Sequence, residues 1–510
     1  MTAGLATLLL LLACAPKAPP AVQGGPHALT VLHTNDIHAH FEPEPAEWLD
    51  GRPAIGGFVR LEQEVRTLRA ARGKDHTLTL DGGDQLTGTP ITEIEVEGSF
   101  GGAMHPLFDE VGYDAWVIGN HEFDKGLENI SRYVQNHPIL PLSSNLFKPG
   151  STTPLLSGQE KSHVFEVGGM RVGVIGVTTD RLAGLMNKRD FARLTLLPEA
   201  TAVQAEVDRL DPLTDLIIVL SHIGVERDQE LANEVKGIDL IVGAHSHTRL
   251  TSALHIGDTY VVQAGSYNRS LGVVDLVEEN DRITELRYEL RDLLPGTATV
   301  PPDPEIQGLV ATYKASVDRI YGERVSEATG FLGRSYNHES ALGRWITDAL
   351  RDRSGADIAL YNGGGLRADI AQGPVTRLVL FQCFPFQNAV MQFQLTGKQV
   401  LGLVLQNIAA DADEKRGFLS TSGLTWTWHR NVGAPEVVTA LVGGQPIDLS
   451  RMYTLVASSY VTEQWQKHLG GEAEPQHVES LGYNDFDVAV EYARKKPVVD
   501  PGDVRGAQVE

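Results

Sequence analysis

Carboxylate, imidazole and carboxamide side chains recur through the first half of this chain, each set directly after a short apolar run. TNDIHAH (34–40) carries Asp36 and His38 two apart, and DGGDQL (81–86) carries Asp81 and Asp84. GNHEFDKG (119–126) sets Asn120 beside His121, with Asp124 three residues further on. SHIG (221–224) offers His222, and GAHSHT (243–248) places His245 and His247 on either side of Ser246. Each alone is weak. A D-x-H pair recurs by chance, Gly-Asn and Asp-Lys-Gly are ordinary turn material, and a lone His is more often a satisfied surface or core residue than a ligand. Together they supply about seven N and O ligands, more than the three or four that one zinc ion takes. Two divalent ions sharing a bridging carboxylate would use them all. Such a pair lowers the pKa of a shared water and clamps the attacking and leaving oxygens of an in-line displacement, the chemistry of phosphate-ester hydrolysis.

The elements that must position these groups are runs rich in Val, Ile and Leu at 28–33, 76–80, 114–119, 171–177, 215–221 and 238–244. They are continuous rather than alternating, as expected of strands buried on both faces of a sheet. Helix-like stretches such as 59–73 and 200–210 separate them. The alternation predicts an α/β domain over 28–295, in which ligands gather just beyond the carboxyl ends of the strands. The stretch 292–305 is dense in Pro and Gly. Ile306, Leu309, Val310, Tyr313, Val317 and Ile320 then recur at helical spacing, so 296–325 is expected to hold a linker and linker helix. A second α/β domain is expected over 326–498, and a tail over 499–510.

At 510 residues, with 42% hydrophobic and 21% charged residues, the composition fits a globular protein of two domains. A formal charge of −23 argues against a nucleic-acid polymer as partner, and it requires local cations wherever an anionic substrate binds. The two cysteines, Cys14 and Cys383, make no disulfide framework, so a metal site must use N and O ligands. Before Cys14 lies a run of about nine apolar residues, too short to span a bilayer, which reads as a signal-peptide core within 1–27. LLAC (11–14) resembles a bacterial lipobox, in which Cys14 is lipidated and becomes the first residue of the mature protein. The Pro-rich stretch after it would be a tether. No Lys or Arg precedes the apolar run, which departs from the usual pattern. The expected location is the cell envelope or periplasm, with membrane contact only through the lipid.

The set DIHAH, GDQLTGTP, GNHEFDKG, SHIG and GAHSHT resembles the five motifs of calcineurin-like metallophosphatases, and more narrowly those of the bacterial 5′-nucleotidase/UDP-sugar hydrolase family, over about 29–498. The resemblance implies a four-layer αββα first domain and two divalent ions. Asp36, His38 and His247 would hold one ion, Asn120, His222 and His245 the other, and Asp84 would bridge them. His121 and Asp124 match the family's catalytic pair: the imidazole stabilises developing phosphoryl charge or assists the leaving oxygen, and the carboxylate orients it. Asp81 and His40 fall outside that pattern and are expected to make strand-end hydrogen bonds. The mixed donor set is compatible with Zn, Mn, Fe or Co.

By the same resemblance the second domain carries specificity. YNGGGLRADI (361–370) fits an N-G-G-x-R stretch, which puts Asn362, Gly364 and Arg367 at the substrate. Its glycines allow close backbone approach, and Arg367 suits a bidentate grip on phosphate. CFPFQNAV places Phe386 where the family stacks a nucleobase, with Asn388 nearby, and TLVASSYV puts Tyr460 at the second stacking aromatic. Gly423 in STSGLTW is expected to face the base. VTEQWQKHLGG stands where the family carries a G-G-D-G-like turn, and the substrate-gripping arginine is represented by Arg334, or less well Arg344, neither in register. The implied reaction is release of phosphate from nucleoside 5′-monophosphates, extending to other nucleotides or UDP-sugars. The alternatives are a 2′,3′-cyclic nucleotide phosphodiesterase, a thiosulfohydrolase on the same scaffold, and an envelope protein that binds nucleotide without turnover.

Overall fold

Strand His27–Thr34 lies inside a six-stranded sheet in the computed structural model. It pairs in parallel with Thr77–Asp81, and the sheet continues in parallel through Ala115–Val117 to Leu140–Leu142. On its other flank run Ser270–Glu278 and Ile283–Asp292, both joined antiparallel. A second six-stranded sheet takes the order Ser162–Val167, Met170–Thr178, Leu216–His222, Leu240–Val242, Thr259–Val262, Leu254–Ile256, with its four middle strands parallel. The structure describes residues 26–46, 48–412, 417–430, 435–469 and 474–509. The expected signal-peptide core, Cys14 and most of the tether lie outside the described residues.

The two sheets close face to face. Leu29, Val31, Leu78, Leu80 and Val117 of the first meet Val172, Val174, Ile218, Leu220 and Val242 of the second in one buried cluster. On the opposite face of the second sheet, Ile175, Val177, Ile217, Val219 and Ile241 pack under helices Glu199–Leu210 and Val225–Glu234. Leu32, Trp116 and Val273 do the same for the first sheet, beneath helices Phe58–Arg72, His105–Val111 and Leu127–Asn136. Helix Phe58–Arg72 follows from Phe58, Leu61, Val65 and Leu68, one buried stripe at helical spacing. Helix, sheet, sheet, helix makes four layers. Both faces of each central strand are covered, and hence the strand runs lack a polar alternation.

Helix Pro304–Tyr321 starts on Asp303, whose carboxylate accepts the Glu305 N–H at 2.8 Å, with Pro304 in the first turn. It ends at Gly322, and Arg324–Ala328 is already a strand paired with Gly373–Thr376. Ile306 and Val317 are buried while Ile320 is exposed, so the apolar stripe is narrower than the spacing suggested. Beyond it a five-stranded sheet orders Leu419–Ser422, Ile358–Asn362, Met452–Ser458, Ala389–Thr396, Gln476–Asn484, flanked by helices Ala341–Ser354 and Asp485–Lys495. The chain is thus a two-domain α/β protein. The expected tail 499–510 needs correction: Gly506–Gln508 pairs in parallel with Trp426–Trp428, and Gly506 passes so close to the Trp426 ring that no side chain would fit. A short polar strand added to a sheet edge has no sequence signal of its own. Among the described residues no helix is long and apolar enough to cross a membrane.

Candidate metal centre and active site

The parallel strands of both sheets end at one edge of the first domain, and the candidate groups project there. Asp36 and His38 follow His27–Thr34, Asp84 follows Thr77–Asp81, Asn120 and His121 follow Ala115–Val117, His222 closes its strand, and His245 and His247 follow Leu240–Val242. Asp36, His38, Asp84, His245 and His247 all hold left-handed backbone, with φ of 50°, 48°, 52°, 72° and 55°. Each such residue costs roughly 1–3 kcal/mol and persists only where its surroundings impose it.

Asp84 is the hub. Its Oδ2 lies 3.1 Å from His222 Nε2, 3.9 Å from His38 Nε2 and 4.0 Å from His121 Nε2. His247 Nε2 stands 3.5 Å from Asp36 Oδ1 and 3.1 Å from His38 Nε2, and Asn120 Oδ1 is 3.3 Å from His222 Nε2. Among the described residues, three groups have ligand atoms all within 4.8 Å of one another: Asp36–His38–His247, Asp84–His222–His245 and His38–Asp84–His121. His222 Nδ1 faces the Gly82 carbonyl at 2.6 Å and His38 Nδ1 the Thr87 carbonyl at 2.9 Å. A carbonyl oxygen only accepts, so both imidazoles carry a proton on Nδ1 and turn Nε2 to the cluster, the orientation usual for metal-binding histidines.

Burial lowers His245 and His247 to about 3 and holds His38 well below the usual imidazole range, so all three are neutral at pH 7, as cation ligation requires. Burial also opposes charge on Asp84, yet His222 and His121 hold its carboxyl well below the carboxylate range. Asp36 moves the other way, pushed up to about 7 chiefly by burial. His222 is raised to about 10 because Asp84 outweighs the effect of burial. A donor set of nitrogen and oxygen, with one carboxylate common to two groups, fits a pair of divalent ions and does not select among Zn, Mn, Fe and Co.

His121 Nδ1 donates to Asp124 Oδ2 at 2.7 Å, leaving Nε2 toward the cluster. Burial lowers the affinity of His121 for a proton, but Asp124 and Asp84 reverse this and raise its pKa overall. Asp81 accepts from Thr34 Oγ1 at 2.7 Å, Gln85 Nε2 at 3.2 Å and the Gly83 N–H at 3.2 Å, outside the cluster. His40 sits 3.6 Å from Glu44 with its ring against Tyr267.

Sequence reasoning passed over Glu122. Its buried carboxylate accepts the backbone N–H groups of Gln85 at 2.7 Å, Gly119 at 2.8 Å, Asp84 at 3.2 Å and Leu86 at 3.3 Å. It thereby ties the Asp84 loop to the Asn120 loop. Burial and then Asp84 push it up to about 8. The signal was in view as the acid inside GNHEFDKG, but an acid beside a turn has no pattern that separates a clamp from a solvated residue.

From the second domain, the Phe386 ring stacks on His121 with centroids 5.7 Å apart and planes at 23°. The Arg367 guanidinium lies 5.7 Å over Phe386, and its charge is felt by His38, His121 and His247. Tyr460 lies near enough to Asp124 for the carboxylate to raise its phenol pKa further, after burial, and its hydroxyl donates to the Gly184 carbonyl at 3.1 Å. Asn362 is buried with Oδ1 unpaired, and Gly364 runs under the Tyr336 ring. Asn388 turns toward Asp485, with Nδ2 to Oδ2 at 3.4 Å. Arg334 reaches the Leu366 carbonyl at 3.5 Å, beside Arg367, whereas Arg344 pairs with Asp500 at 2.7 Å. Gly423 is not brought to this group. It lies against Asp357 and Arg351, at the opposite end of strand Ile358–Asn362 from Asn362, where a φ of 80° turns the chain into Leu424–Arg430.

Residues 29–249 match the family model of the calcineurin-like phosphoesterases, and residues 305–468 that of the 5′-nucleotidase C-terminal domain. Protein 5NUC of Lutzomyia longipalpis is 30% identical over 431 residues, which cover 74% of this chain and 73% of that protein. The Trifunctional nucleotide phosphoesterase protein YfkN of Bacillus subtilis is 26% identical over 529 residues covering 94% of this chain, and the match spans only 34% of that protein's length. The crystal structure of a 5′-nucleotidase precursor from Thermus thermophilus, 27% identical, superposes with a TM-score of 0.81 over 95% of this chain and 99% of that one. With its two domains and its Asp/His cluster, the chain belongs to the 5′-nucleotidase family of calcineurin-like phosphoesterases, which are metal-dependent phosphoric ester hydrolases.

Proposed function

We propose that this protein releases phosphate from nucleoside 5′-monophosphates, with other nucleotides and UDP-sugars as further substrates. The observation that carries the reading is the position of His121. It lies between the Asp84-centred cluster and the Phe386–Arg367 face of the second domain. Asp36, His38 and His247 would hold one divalent ion and Asn120, His222 and His245 the other, with Asp84 shared. When bound, the ions supply Lewis acidity toward the phosphoryl oxygens and an activated water.

The protein's own groups do the rest. Asp124 holds the His121 proton on Nδ1 and so fixes which nitrogen meets the substrate. Asp124 and Asp84 outweigh burial and raise the pKa of His121, which favours the protonated form that gives the leaving oxygen a proton. Arg367 offers the local cation that a chain of charge −23 needs to hold an anion. Phe386 and Tyr460 stand beside the His121–Asp124 pair, and a base that displaced their present neighbours would stack on these rings.

The test is a substrate panel on metal-reconstituted protein: AMP, UDP-glucose, a 2′,3′-cyclic nucleotide and a thiosulfate-bearing compound. AMP turnover that stops with chelator and returns with a divalent ion is expected. Turnover of the cyclic or thiosulfate substrate alone would move the assignment to the second reading, which the replaced G-G-D-G-like turn at 461–471 favours. Phe386→Leu combined with Tyr460→Leu keeps apolar bulk against His121 but removes both rings. Its kcat/KM on AMP should fall about 5- to 150-fold, the equivalent of 1–3 kcal/mol of base stacking, while p-nitrophenyl phosphate is little affected. An equal loss on both substrates would remove stacking as the explanation.

A further inference from the structure

Thr87 follows the Asp84 loop and belongs to none of the three ligand groups, yet two of its atoms touch the machinery. Its carbonyl oxygen accepts the His38 Nδ1–H at 2.9 Å. Its hydroxyl donates at 2.7 Å to Asp124 Oδ2, the same oxygen that accepts the His121 Nδ1–H at 2.7 Å. To do both, Thr87 adopts φ of 63°, an outlying conformation for a β-branched residue. Gly88, next along, has φ of 143°, and a Cβ there would collide with the His38 carbonyl oxygen. The chain is therefore wedged between His38 and Asp124 at a backbone cost that the two hydrogen bonds must outweigh.

We propose that Thr87 is a positioning residue for the acid–base pair: its hydroxyl fixes the Asp124 carboxylate in the rotamer that aims His121 at the leaving oxygen. This rests on the phosphohydrolase reading above. In the step concerned, the bond from phosphorus to the leaving oxygen breaks and the electron pair stays with that oxygen. His121 Nε2 gives it a proton, so it departs as an alcohol. Water adds its oxygen to phosphorus, releases a proton to solvent, and His121 regains one from solvent. Without the Thr87 hydroxyl, Asp124 keeps one donor and is free to rotate about its side-chain bonds. Proton delivery then suffers while phosphoryl binding does not.

Thr87→Val keeps the bulk, the β-branch and the carbonyl bond to His38, and removes only the hydroxyl. Thr87→Ser keeps the hydroxyl. Both are compared with wild type as metal-loaded full-length protein, on AMP, whose alkoxide leaving group needs a proton, and on p-nitrophenyl phosphate, whose leaving group does not. Thr87→Val should lower kcat on AMP by about tenfold or more, a share of the 10²–10⁴ that acid–base catalysis supplies. KM and metal content should hold, and the loss on p-nitrophenyl phosphate should be much smaller. Thr87→Ser should recover most of the AMP rate. Adding Thr87→Val to Asp124→Asn should cost little more than Asp124→Asn alone, since the two act through one contact. Equal losses on the two esters, loss of metal in Thr87→Val, or a Thr87→Ser as slow as Thr87→Val would each overturn the role. A wild type inert toward both esters would instead sink the phosphohydrolase reading, and this role with it.

Discussion

Asp84→Ala should yield folded protein that neither retains divalent metal through dialysis nor turns over AMP. The carboxylate stands 3.1 Å from His222 Nε2 and 3.9 Å from His38 Nε2, and it is the one anionic group shared between two of the three ligand groups. Its removal leaves buried imidazoles facing one another, with Asp36 as the remaining carboxylate of the set. Substitutions outside a metal's ligand shell already cost about 10- to 100-fold in affinity or activity, and the loss here should exceed that range. Asp84 Oδ1 also accepts the His121 N–H at 2.8 Å, so the 3₁₀ turn His121–Phe123 loses an anchor as well. Elemental analysis of the dialysed protein, beside phosphate release and a melting curve, checks all three. Two ions retained by Asp84→Ala would show that this carboxylate is not the bridge.

The second large effect separates catalyst from ligand at His121. His38, Asp84 and His121 come within reach of a single cation, so distance alone leaves His121 open as a ligand. Against that role, its Nδ1 is engaged by Asp124, its Nε2 is 4.0 Å from Asp84 Oδ2, and its ring lies under Phe386. As a proton donor it predicts a fall in kcat of roughly 10²–10⁴-fold for His121→Ala, with metal content near that of wild type. Metal lost together with activity would reassign His121 to the ligand set. The comparison is informative only if Asp84→Ala is measured alongside, because one variant should lose metal and the other should keep it.

Much of this was readable in the primary structure, and the unreadable part has physical causes. Strand runs such as 215–221 could be read because burial on both faces demands unbroken Val, Ile and Leu. The convergence of their ends on one edge followed from parallel pairing. That the strands divide between two facing sheets was not readable from the runs themselves, since inward and outward faces are equally apolar. Gly423 failed for a different reason. A glycine after the polar run Ser420–Ser422 suits a corner between two strands as well as a ligand loop, and only the pairing of Ala359 with Ser422 decides between them. The left-handed backbone at Asp36, His38 and Asp84 was also hidden, because propensity does not anticipate strain that tertiary contacts impose.

The antiparallel pairing of Ser270–Glu278 with His27–Thr34 bears on how the molecule is made. The strand that leads into Asp36 and His38 is synthesised early, but its flanking partner is among the last pieces of the first domain to leave the ribosome. Until then that strand presents an open edge able to pair with other chains. Closing so long a loop makes this a late and slow event in folding. A fragment ending after Thr248 would contain every candidate ligand and still keep that edge exposed. The strand that leads into the first two candidate ligands is thus covered on that side only by chain made after the last of them.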